Sequence, residues 1–175
     1  MSASALPHRA LGGLVVPPLA LGSWNTWDRM DPDDAVAMIC RAVELEAGFF
    51  DVAYYNMGPH AENSRTDILF GQALRESGID RSTIVLCGKL WLWDWPNQSF
   101  RAQLVESLER AGLDRFDTLV VGDYLDEPDV ARIVADVNAL IAEGLVGGWG
   151  INNWRIGHTR AALAVAADTG LVGPS

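Results

Sequence analysis

Basic side chains and long apolar runs are both scarce in this 175-residue sequence, and each shortage excludes a class of protein. Lys and Arg number 13 against 23 Asp and Glu, which gives a net charge of -10 at pH 7. Such a charge repels phosphate backbones and anionic lipid surfaces, so neither nucleic acid nor a membrane is an expected partner. No apolar run approaches the roughly 20 residues that a spanning helix needs, and no signal-peptide pattern opens the sequence. We therefore expect a cytoplasmic protein.

Cysteine and histidine are also few. Cys40 and Cys87 fall within apolar helical and strand patterns, so we expect two small buried side chains and no disulfide. The histidines, His8, His60 and His158, lie far apart, and only a short HAE motif at His60 places a carboxylate near one of them. No metal site is predicted. Glycine-rich phosphate loops and a GxSxG motif are absent as well.

What the sequence does contain is a regular alternation of short apolar runs with amphipathic ones, separated by turn residues. This pattern is typical of strand–helix repeats. Asp31 and Pro32 form a helix start signal and Gly78 a helix stop signal. Near-continuous apolar strands indicate a parallel sheet covered by helices. We predict an α/β fold with about five βα units in one domain over residues 1–175, with strands in PPLALGSW, FFDVA, STIVLCGKL, RFDTLVVG and LVGGWGINNW.

Two titratable residues end neighbouring predicted strands. Ligand sites of parallel α/β folds lie at the carboxyl ends of the strands, where Asp51 ends the second strand and Lys89 the third. An ion pair between them is expected. Such a lysine would lower the phenol pKa of an adjacent tyrosine, which could then exchange a proton with a substrate. A buried ion pair with a purely structural role is the alternative interpretation.

Tryptophans are concentrated at the same strand ends. They lie in the loops after three of the strands, at positions Trp24, Trp27, Trp91, Trp93, Trp95 and Trp154. Together they could wall one pocket for a flat or partly cationic small molecule, through stacking and cation–π attraction. The alternative is that individual tryptophans cap the barrel or seal an interface. The predicted pocket residues are Trp24, Trp91, Trp93, Asp123 and Tyr124.

The order of the motifs resembles the aldo-keto reductase family, whose members are (β/α)8 barrels that reduce carbonyls with a nicotinamide cofactor. The resemblance covers almost the whole chain. It is carried by LALGSW, GFFDVAYY, RTDILFGQAL, VLCGK, SLERAGLDRFDTLVVG and EGLVGGWGINNW. The resemblance implies a partial (β/α)8 TIM barrel of about five βα units.

The family's catalytic set is an aspartate, a tyrosine, a lysine and a histidine. Asp51 and Lys89 match two of these residues. The tyrosine position holds Asn56, and Tyr55, one place earlier, is the expected replacement because the loop that follows is longer than usual. The histidine position holds Gly122. The resemblance therefore implies Asp51, Tyr55 and Lys89 as the catalytic residues, without the histidine.

The resemblance also implies NADPH as a possible cofactor. Its contacts in this chain would be Gly22, Ser23, Asn152 and Asn153, and the last two align with the pair that binds the nicotinamide amide. Most phosphate contacts in the family come from later loops, so a dinucleotide held here at one end would bind weakly. Five strands instead of eight would also leave open sheet edges. A fragment of a longer protein, self-association or a second chain that completes the barrel, and a remodelled half-barrel are all compatible with this length.

Three functions follow from these observations. The first is acid-base chemistry on a small molecule, such as elimination, isomerisation or ring closure, with hydride transfer lost or weakened. The second is NADPH-dependent reduction of an aldehyde or ketone, with Tyr55 as a displaced proton donor. The third is a non-catalytic binding or regulatory role, which the absence of a histidine at Gly122 favours.

Overall fold

The computed structural model describes residues 7–55, 64–123 and 127–175, which contain six strands and five α-helices. The strands are β1 (Arg9–Leu11), β2 (Leu14–Val16), β3 (Phe49–Asp51), β4 (Val85–Trp91), β5 (Thr118–Gly122) and β6 (Trp149–Ile151). The helices are α1 (Pro32–Glu44), α2 (Thr66–Ser77), α3 (Phe100–Ala111), α4 (Val130–Ala142) and α5 (Ile156–Thr169). Short 3₁₀ turns span Trp27–Arg29 and Arg81–Thr83.

The strands β3 to β6 form one parallel sheet in sequence order, as the apolar runs predict. Asp51 at the end of β3 lies opposite Cys87, and Trp91 at the end of β4 lies opposite Gly122. The longest strand, β4, therefore extends beyond β3 by four residues. Its last residues bring Lys89 and Trp91 to the edge of the sheet at which β5 and β6 also end.

The predicted first strand, PPLALGSW, is not a full strand. Leu21 alone forms a bridge to Phe50, in which the Leu21 N–H donates to the Phe49 carbonyl at 2.8 Å and the Asp51 N–H to the Leu21 carbonyl at 2.9 Å. Pro17 and Pro18, which have no N–H to donate, precede this point. The parallel sheet thus has four strands and a one-residue extension where five strands were expected.

An amino-terminal hairpin was not predicted. The strands β1 and β2 pair antiparallel, with Leu11 opposite Leu14, and the turn between them is Gly12-Gly13. Both glycines have positive φ, 51° and 85°. Two-residue hairpin turns require such angles, which glycine adopts at little cost. A Gly-Gly pair between apolar residues is therefore a signal that could have revealed this hairpin.

The helices begin and end at the residues that chain chemistry favours. The Asp31 side chain accepts a hydrogen bond from the Asp33 N–H at 3.0 Å, and Pro32 occupies the first helical position of α1. Gly78 ends α2 with a left-handed φ of 66°. Both predicted signals are confirmed. Within the residues described, no helix is both long and apolar enough to cross a membrane.

The core lies between the sheet and the helices and forms one cluster of buried apolar side chains. Its fully buried members include Phe50, Phe70, Leu86, Leu104, Leu119 and Trp149. Cys87 is also buried, Cys40 is partly buried, and both thiols are free, in agreement with the sequence analysis. Packing of these buried side chains holds the sheet, and therefore the ends of its strands, in a fixed position.

Helices α2 and α3 approach each other closely. A Cβ atom added at Gly71 would lie 1.8 Å from the carbonyl oxygen of Ala111, which is far inside van der Waals contact. Beside this point, Arg110 donates to both carboxylate oxygens of the buried Asp67, at 2.6 and 2.9 Å. The Gly71 contact and the bidentate ion pair together join the two helices that flank β4.

We expect Gly71→Ala to lower the free energy of unfolding by about 2–3 kcal/mol, because the added methyl group forces the two backbones apart. Gly157→Ala is the matched control, since no atom lies within 4 Å of its added Cβ on the exposed start of α5. That variant should be as stable as the parent chain or slightly more so. Urea unfolding followed by circular dichroism measures both, and equal losses would contradict the helix contact.

Candidate active site

A cleft of about 430 Å³ opens at the carboxyl ends of the strands. Its lining residues come from the segments after Leu21, β3, β4, β5 and β6, and they are Trp24, Tyr55, Lys89, Trp91, Trp93, Asp123, Asn152 and Asn153. The fold thus brings together most of the residues that the sequence singled out as site candidates. Tyr124, another predicted pocket residue, lies outside the described residues, as does Asn56.

Aromatic rings form a continuous wall on one side of this cleft. The Trp91 and Trp93 rings stack with centroids 4.3 Å apart and planes 10° apart. Tyr55 joins them, 5.8 Å from Trp91 and 6.2 Å from Trp24. The Trp91 indole N–H donates to the Tyr54 carbonyl at 2.8 Å, which fixes the orientation of its ring. Stacked faces of this kind suit a flat ligand.

The other three tryptophans do not wall the cleft. Trp27 is 1% exposed and packs edge-on against Phe70, with centroids 5.1 Å apart. Trp95 is 7% exposed and stacks on Phe100. Trp154 is partly buried and packs against the core. The interpretation in which individual tryptophans pack outside the pocket therefore holds for these three residues, whereas Trp24, Trp91 and Trp93 line the cleft. Alternation along an irregular loop does not determine which side chains face the core.

Lys89 lies between the aromatic rings and the strand ends. Its Nζ atom is 4.3 Å from the centroid of the Trp91 ring and 5.9 Å from that of the Tyr55 ring. Both distances are within the range of cation–π attraction. The ammonium group and the phenol ring therefore share one region of the cleft, with the Nζ atom nearer to the Trp91 ring than to the Tyr55 ring.

Asp51 lies beneath the cleft and is held by Ser23. Its Oδ2 atom accepts from the Ser23 N–H at 3.3 Å and from the Ser23 hydroxyl at 3.1 Å. The expected ion pair with Lys89 is not among those formed in the described part of the chain. Ser23 satisfies the carboxylate instead, and Lys89 acts on it through charge at longer range.

The pKa of Asp51 is raised above the ordinary carboxyl value, mainly because burial disfavours the charged form. The Ser23 N–H, the positive charge of Lys89 and the Ser23 hydroxyl all act in the opposite direction, in decreasing order, without cancelling the effect of burial. Burial of the charged Asp51 carboxylate therefore lowers the free energy of unfolding.

The structure does not place the two predicted cofactor residues Gly22 and Ser23 on the cleft wall. Ser23 is fully buried, and its hydroxyl accepts from the Ala53 N–H at 3.1 Å while it donates to Asp51. Its observed role is to position Asp51. The sequence contains a signal for this role. Ser23 is a small hydroxyl residue directly after the predicted strand end at Gly22, and the next predicted strand ends in an aspartate.

Asp123 organises the opposite side of the cleft. Its Oδ1 atom accepts from the Asn152 amide at 3.1 Å and from the Asn153 amide at 2.8 Å. Asn153 has a left-handed φ of 62°, a conformation that asparagine tolerates better than most residues. A Cβ at Gly122 would lie 3.1 Å from the Asn152 side chain. The absence of a side chain at Gly122 therefore leaves room for the Asn152 amide.

A nicotinamide ring fits the described residues at one end of the cleft. The amino groups of Asn152 and Asn153 are engaged by Asp123, whereas their side-chain carbonyl oxygens accept no hydrogen bond within the part of the chain described. Those oxygens can accept from a carboxamide. Lys89 is the one cation among the lining residues described, so the lining offers little to the phosphates of a dinucleotide. Nor do the described residues contain a group of three His, Cys, Asp or Glu placed to hold a metal ion.

A parallel α/β sheet with a cleft at the carboxyl ends of its strands is the arrangement found in α/β barrels and in open α/β folds. Residues 18–172 match the Aldo/keto reductase family. The chain therefore belongs to the aldo-keto reductase family, as the motif resemblance predicts.

The relatives and structural neighbours agree with this assignment. "Probable voltage-gated potassium channel subunit beta" from Oryza sativa subsp. japonica is 33% identical over 97% of this chain and 53% of its own length. "Methylglyoxal reductase DkgB" from Yersinia pestis is 26% identical over 85% of this chain and 52% of its own. An aldo-keto reductase structure from Klebsiella pneumoniae in complex with NADPH superimposes with a TM-score of 0.74 at 24% identity, covering 90% of this chain and 53% of that one.

The chain spans about half the length of the curated relatives it matches. The described sheet accordingly corresponds to part of the family's barrel, and the predicted partial (β/α)8 fold is confirmed. The number of full parallel strands, four, is one fewer than expected.

We expect Asp51→Asn to leave the chain at least as stable as the parent at pH 7. Since the folded pKa of Asp51 is raised, this group favours folding most below its unfolded pKa, and the benefit is lost as the pH rises through the folded pKa. Asparagine keeps an oxygen for Ser23 and has no charge to desolvate. Urea midpoints at pH 7 and pH 5 should show the advantage of the variant shrinking on acidification.

Asp168→Asn, on the exposed surface of α5, is the control for loss of one negative charge. The prediction is contradicted if the difference in urea midpoint between the parent chain and Asp51→Asn is the same at both pH values. It is also contradicted if the variant is much less stable than the parent at pH 7, since burial would then not be the dominant effect on the pKa of Asp51.

Proposed function

We propose that this cleft reduces the carbonyl group of a flat or aromatic small molecule with NADPH, with Tyr55 as the proton donor. The observation that carries the proposal is the position of Lys89, whose Nζ atom is 5.9 Å from the Tyr55 ring inside a cleft at the strand ends. Membership of the aldo-keto reductase family, a reductase among the relatives and a structural neighbour in complex with NADPH support it. The cytoplasmic location predicted from the sequence is part of this proposal.

The chemistry requires one hydride and one proton. When bound, the reduced nicotinamide supplies the hydride to the carbonyl carbon and becomes NADP⁺. The Tyr55 hydroxyl donates its proton to the carbonyl oxygen, and the positive charge of Lys89 stabilises the phenolate that remains. Solvent then returns a proton to Tyr55. The carboxylate of Asp51, held by Ser23, attracts the Lys89 ammonium group through charge.

The remaining lining residues bind and orient. The stacked rings of Trp91 and Trp93 offer an apolar face to a flat substrate and exclude water from the reacting carbonyl. Asn152 and Asn153 would hold the nicotinamide carboxamide through their side-chain oxygens, because their amino groups already donate to Asp123. Both roles use groups that are in place before any ligand binds.

A second candidate function is acid-base chemistry without hydride transfer, such as elimination, isomerisation or ring closure. It is favoured by the replacement of the family histidine by Gly122 and by the engagement of both asparagine amides on Asp123. These two features leave fewer donors for a carbonyl and for a cofactor. Tyr55 and Lys89 would then exchange protons directly with the substrate.

We expect Tyr55→Phe and Lys89→Met each to reduce kcat about 100-fold or more, because each removes a group that handles the proton. The measurement is the loss of reduced-nicotinamide absorbance with a panel of aromatic aldehydes. Tyr54→Phe is the matched control, since the Tyr54 ring lies 4.1 Å from Arg110, next to the Asp67 ion pair, and is not among the residues that line the cleft. It should retain most of the activity.

The outcomes separate the candidates. If Tyr55 is needed for turnover of a substrate and no NADPH is consumed, the result supports acid-base chemistry and contradicts carbonyl reduction. Retention of full activity in Lys89→Met would overturn both. A biological output that survives Lys89→Met, with no turnover by the parent chain, would indicate a non-catalytic role.

We propose in addition that a second copy or a second chain completes the barrel. The terminal helices α1 and α5 expose apolar side chains, with Leu45 just after α1 60% exposed, and with Ile156 and Leu163 of α5 71% and 47% exposed. In the family's barrel the flanks of such helices face further βα units. Exposed apolar side chains on the outer helices of a sheet are a feature of interfaces.

Light scattering after size exclusion should give at least twice the chain mass, and Ile156→Lys should shift the chain toward the monomer because it places a charge in the buried face. Ala102→Lys, which adds the same charge on the exposed surface of α3, is the control and should not shift it. A monomer at all concentrations, with and without NADPH, would contradict self-association.

A further inference from the structure

Asp123 is the one charged lining residue described that the proposed reduction leaves without a direct role. Its carboxylate follows β5, next to Gly122, and it faces the same cleft as Lys89 and the aromatic wall. The Oδ1 atom accepts both asparagine amides, whereas Oδ2 accepts no hydrogen bond within the part of the chain that the structure describes. One oxygen is therefore anchored and the other is available to a ligand.

The anchoring is preorganised. Asn152 reaches Asp123 from the end of β6, where its backbone N–H donates to the Val121 carbonyl at 3.0 Å. Asn153 reaches it from a backbone with a φ of 62°. Two amide donors on one oxygen hold the carboxylate in a single orientation without neutralising it, since neither amide carries a charge. A ligand thus meets a negative group that does not have to reorganise.

The balance of charge in the cleft favours a cation. Lys89 is attracted by Asp51, whose carboxylate lies beneath it. Asp123 takes part in none of the ion pairs found among the described residues. The faces of Trp24, Trp93 and Tyr55 add the negative π-electron density that attracts cations. The net charge of -10 on the chain acts in the same direction at longer range.

We infer that Asp123 recognises a positively charged amino group on the substrate, so that the substrate class is a flat aromatic carbonyl compound bearing a protonated amine. The inference rests on the proposed function for the carbonyl end and on Asp123 for the other end. The carbonyl lies toward Tyr55 and Lys89, and the ammonium group donates to Asp123 Oδ2 while it contacts the aromatic faces. A substrate with a carboxylate in place of the amine meets Asp123 as a like charge.

Binding is tested without cofactor and without turnover, by quenching of tryptophan fluorescence at pH 7. The probes are benzylamine as the cation, benzyl alcohol as the neutral analogue and benzoate as the anion. The parent chain should bind benzylamine at least about tenfold more tightly than benzoate. Asp123→Asn keeps an acceptor for Asn152 and Asn153 and should weaken benzylamine about tenfold while benzyl alcohol changes less than about twofold.

Asp114→Asn is the matched control for net charge, because this exposed residue precedes β5 and lies at the opposite end of that strand. It should bind all three probes as the parent does. Benzoate binding as tight as benzylamine, or an equal loss of benzylamine affinity in the two variants, would overturn the inference. Circular dichroism of Asp123→Asn verifies its fold. If that variant does not fold, the relative affinity of the parent chain for benzylamine and benzoate tests the inference.

A kinetic arm separates this inference from the proposed reduction. With NADPH, 4-[(dimethylamino)methyl]benzaldehyde, whose protonated amine carries an N–H, should show a lower KM than 4-carboxybenzaldehyde, and Asp123→Asn should remove the difference in KM. Asp123-dependent benzylamine binding with no NADPH consumption supports the binding site and overturns the reduction. Reduction of both aldehydes with equal KM supports the reduction and overturns the role of Asp123.

Discussion

The register of the parallel sheet is the constraint on which the cleft depends. Asp51 ends β3 opposite Cys87, and β4 continues past that point to Lys89 and Trp91. Because parallel strands end at the same edge, a shift of one residue along β4 would turn Lys89 away from the cleft and bring an apolar neighbour into its place. The buried apolar side chains on both faces of the sheet oppose such a shift, so core packing maintains the geometry of the polar groups.

The polar groups themselves are arranged in two layers. Asp51 and Ser23 lie below, where burial raises the pKa of the carboxyl and two hydrogen bonds compensate it in part. Lys89 and Tyr55 lie above, among aromatic rings, where a ligand can reach them. The lower layer costs stability at neutral pH, because burial disfavours the charged carboxylate of Asp51. Such a cost is typical of functional sites and less typical of structural ion pairs.

The two sides of the cleft differ in how their polar groups are held. On the β3 side, a buried serine donates to a carboxylate that does not line the cleft. On the β5 side, two asparagine amides donate to a carboxylate that does line it. Gly122 makes the second arrangement possible, because a larger residue there would press on Asn152. Next to Gly122, where the resemblance implies a histidine, the same strand end thus presents the carboxylate of Asp123, which we propose as the contact for a positively charged ligand.

The strands, the helix ends and the family could be predicted from the sequence alone, because they depend on local chemistry. Apolar runs predicted the parallel strands, Asp31, Pro32 and Gly78 predicted helix ends, and six ordered motifs predicted the family. These features depend on neighbours in the chain, which the sequence displays directly. The strand-end rule then placed Tyr55, Lys89, Trp91 and Asp123 in one cleft, because parallel strands share a direction.

Contacts between residues far apart in the chain were decided only by the tertiary structure. Ser23 holds Asp51 in place of Lys89, Trp27 and Trp95 pack into the core, and the first strand shrinks to one bridge at Leu21. In each case several groups could contact the same side chain or the same sheet edge. Which of them does so depends on distances of a few tenths of an ångström. Residue order fixes which groups reach the same edge of the sheet, whereas packing in three dimensions selects which of them touch.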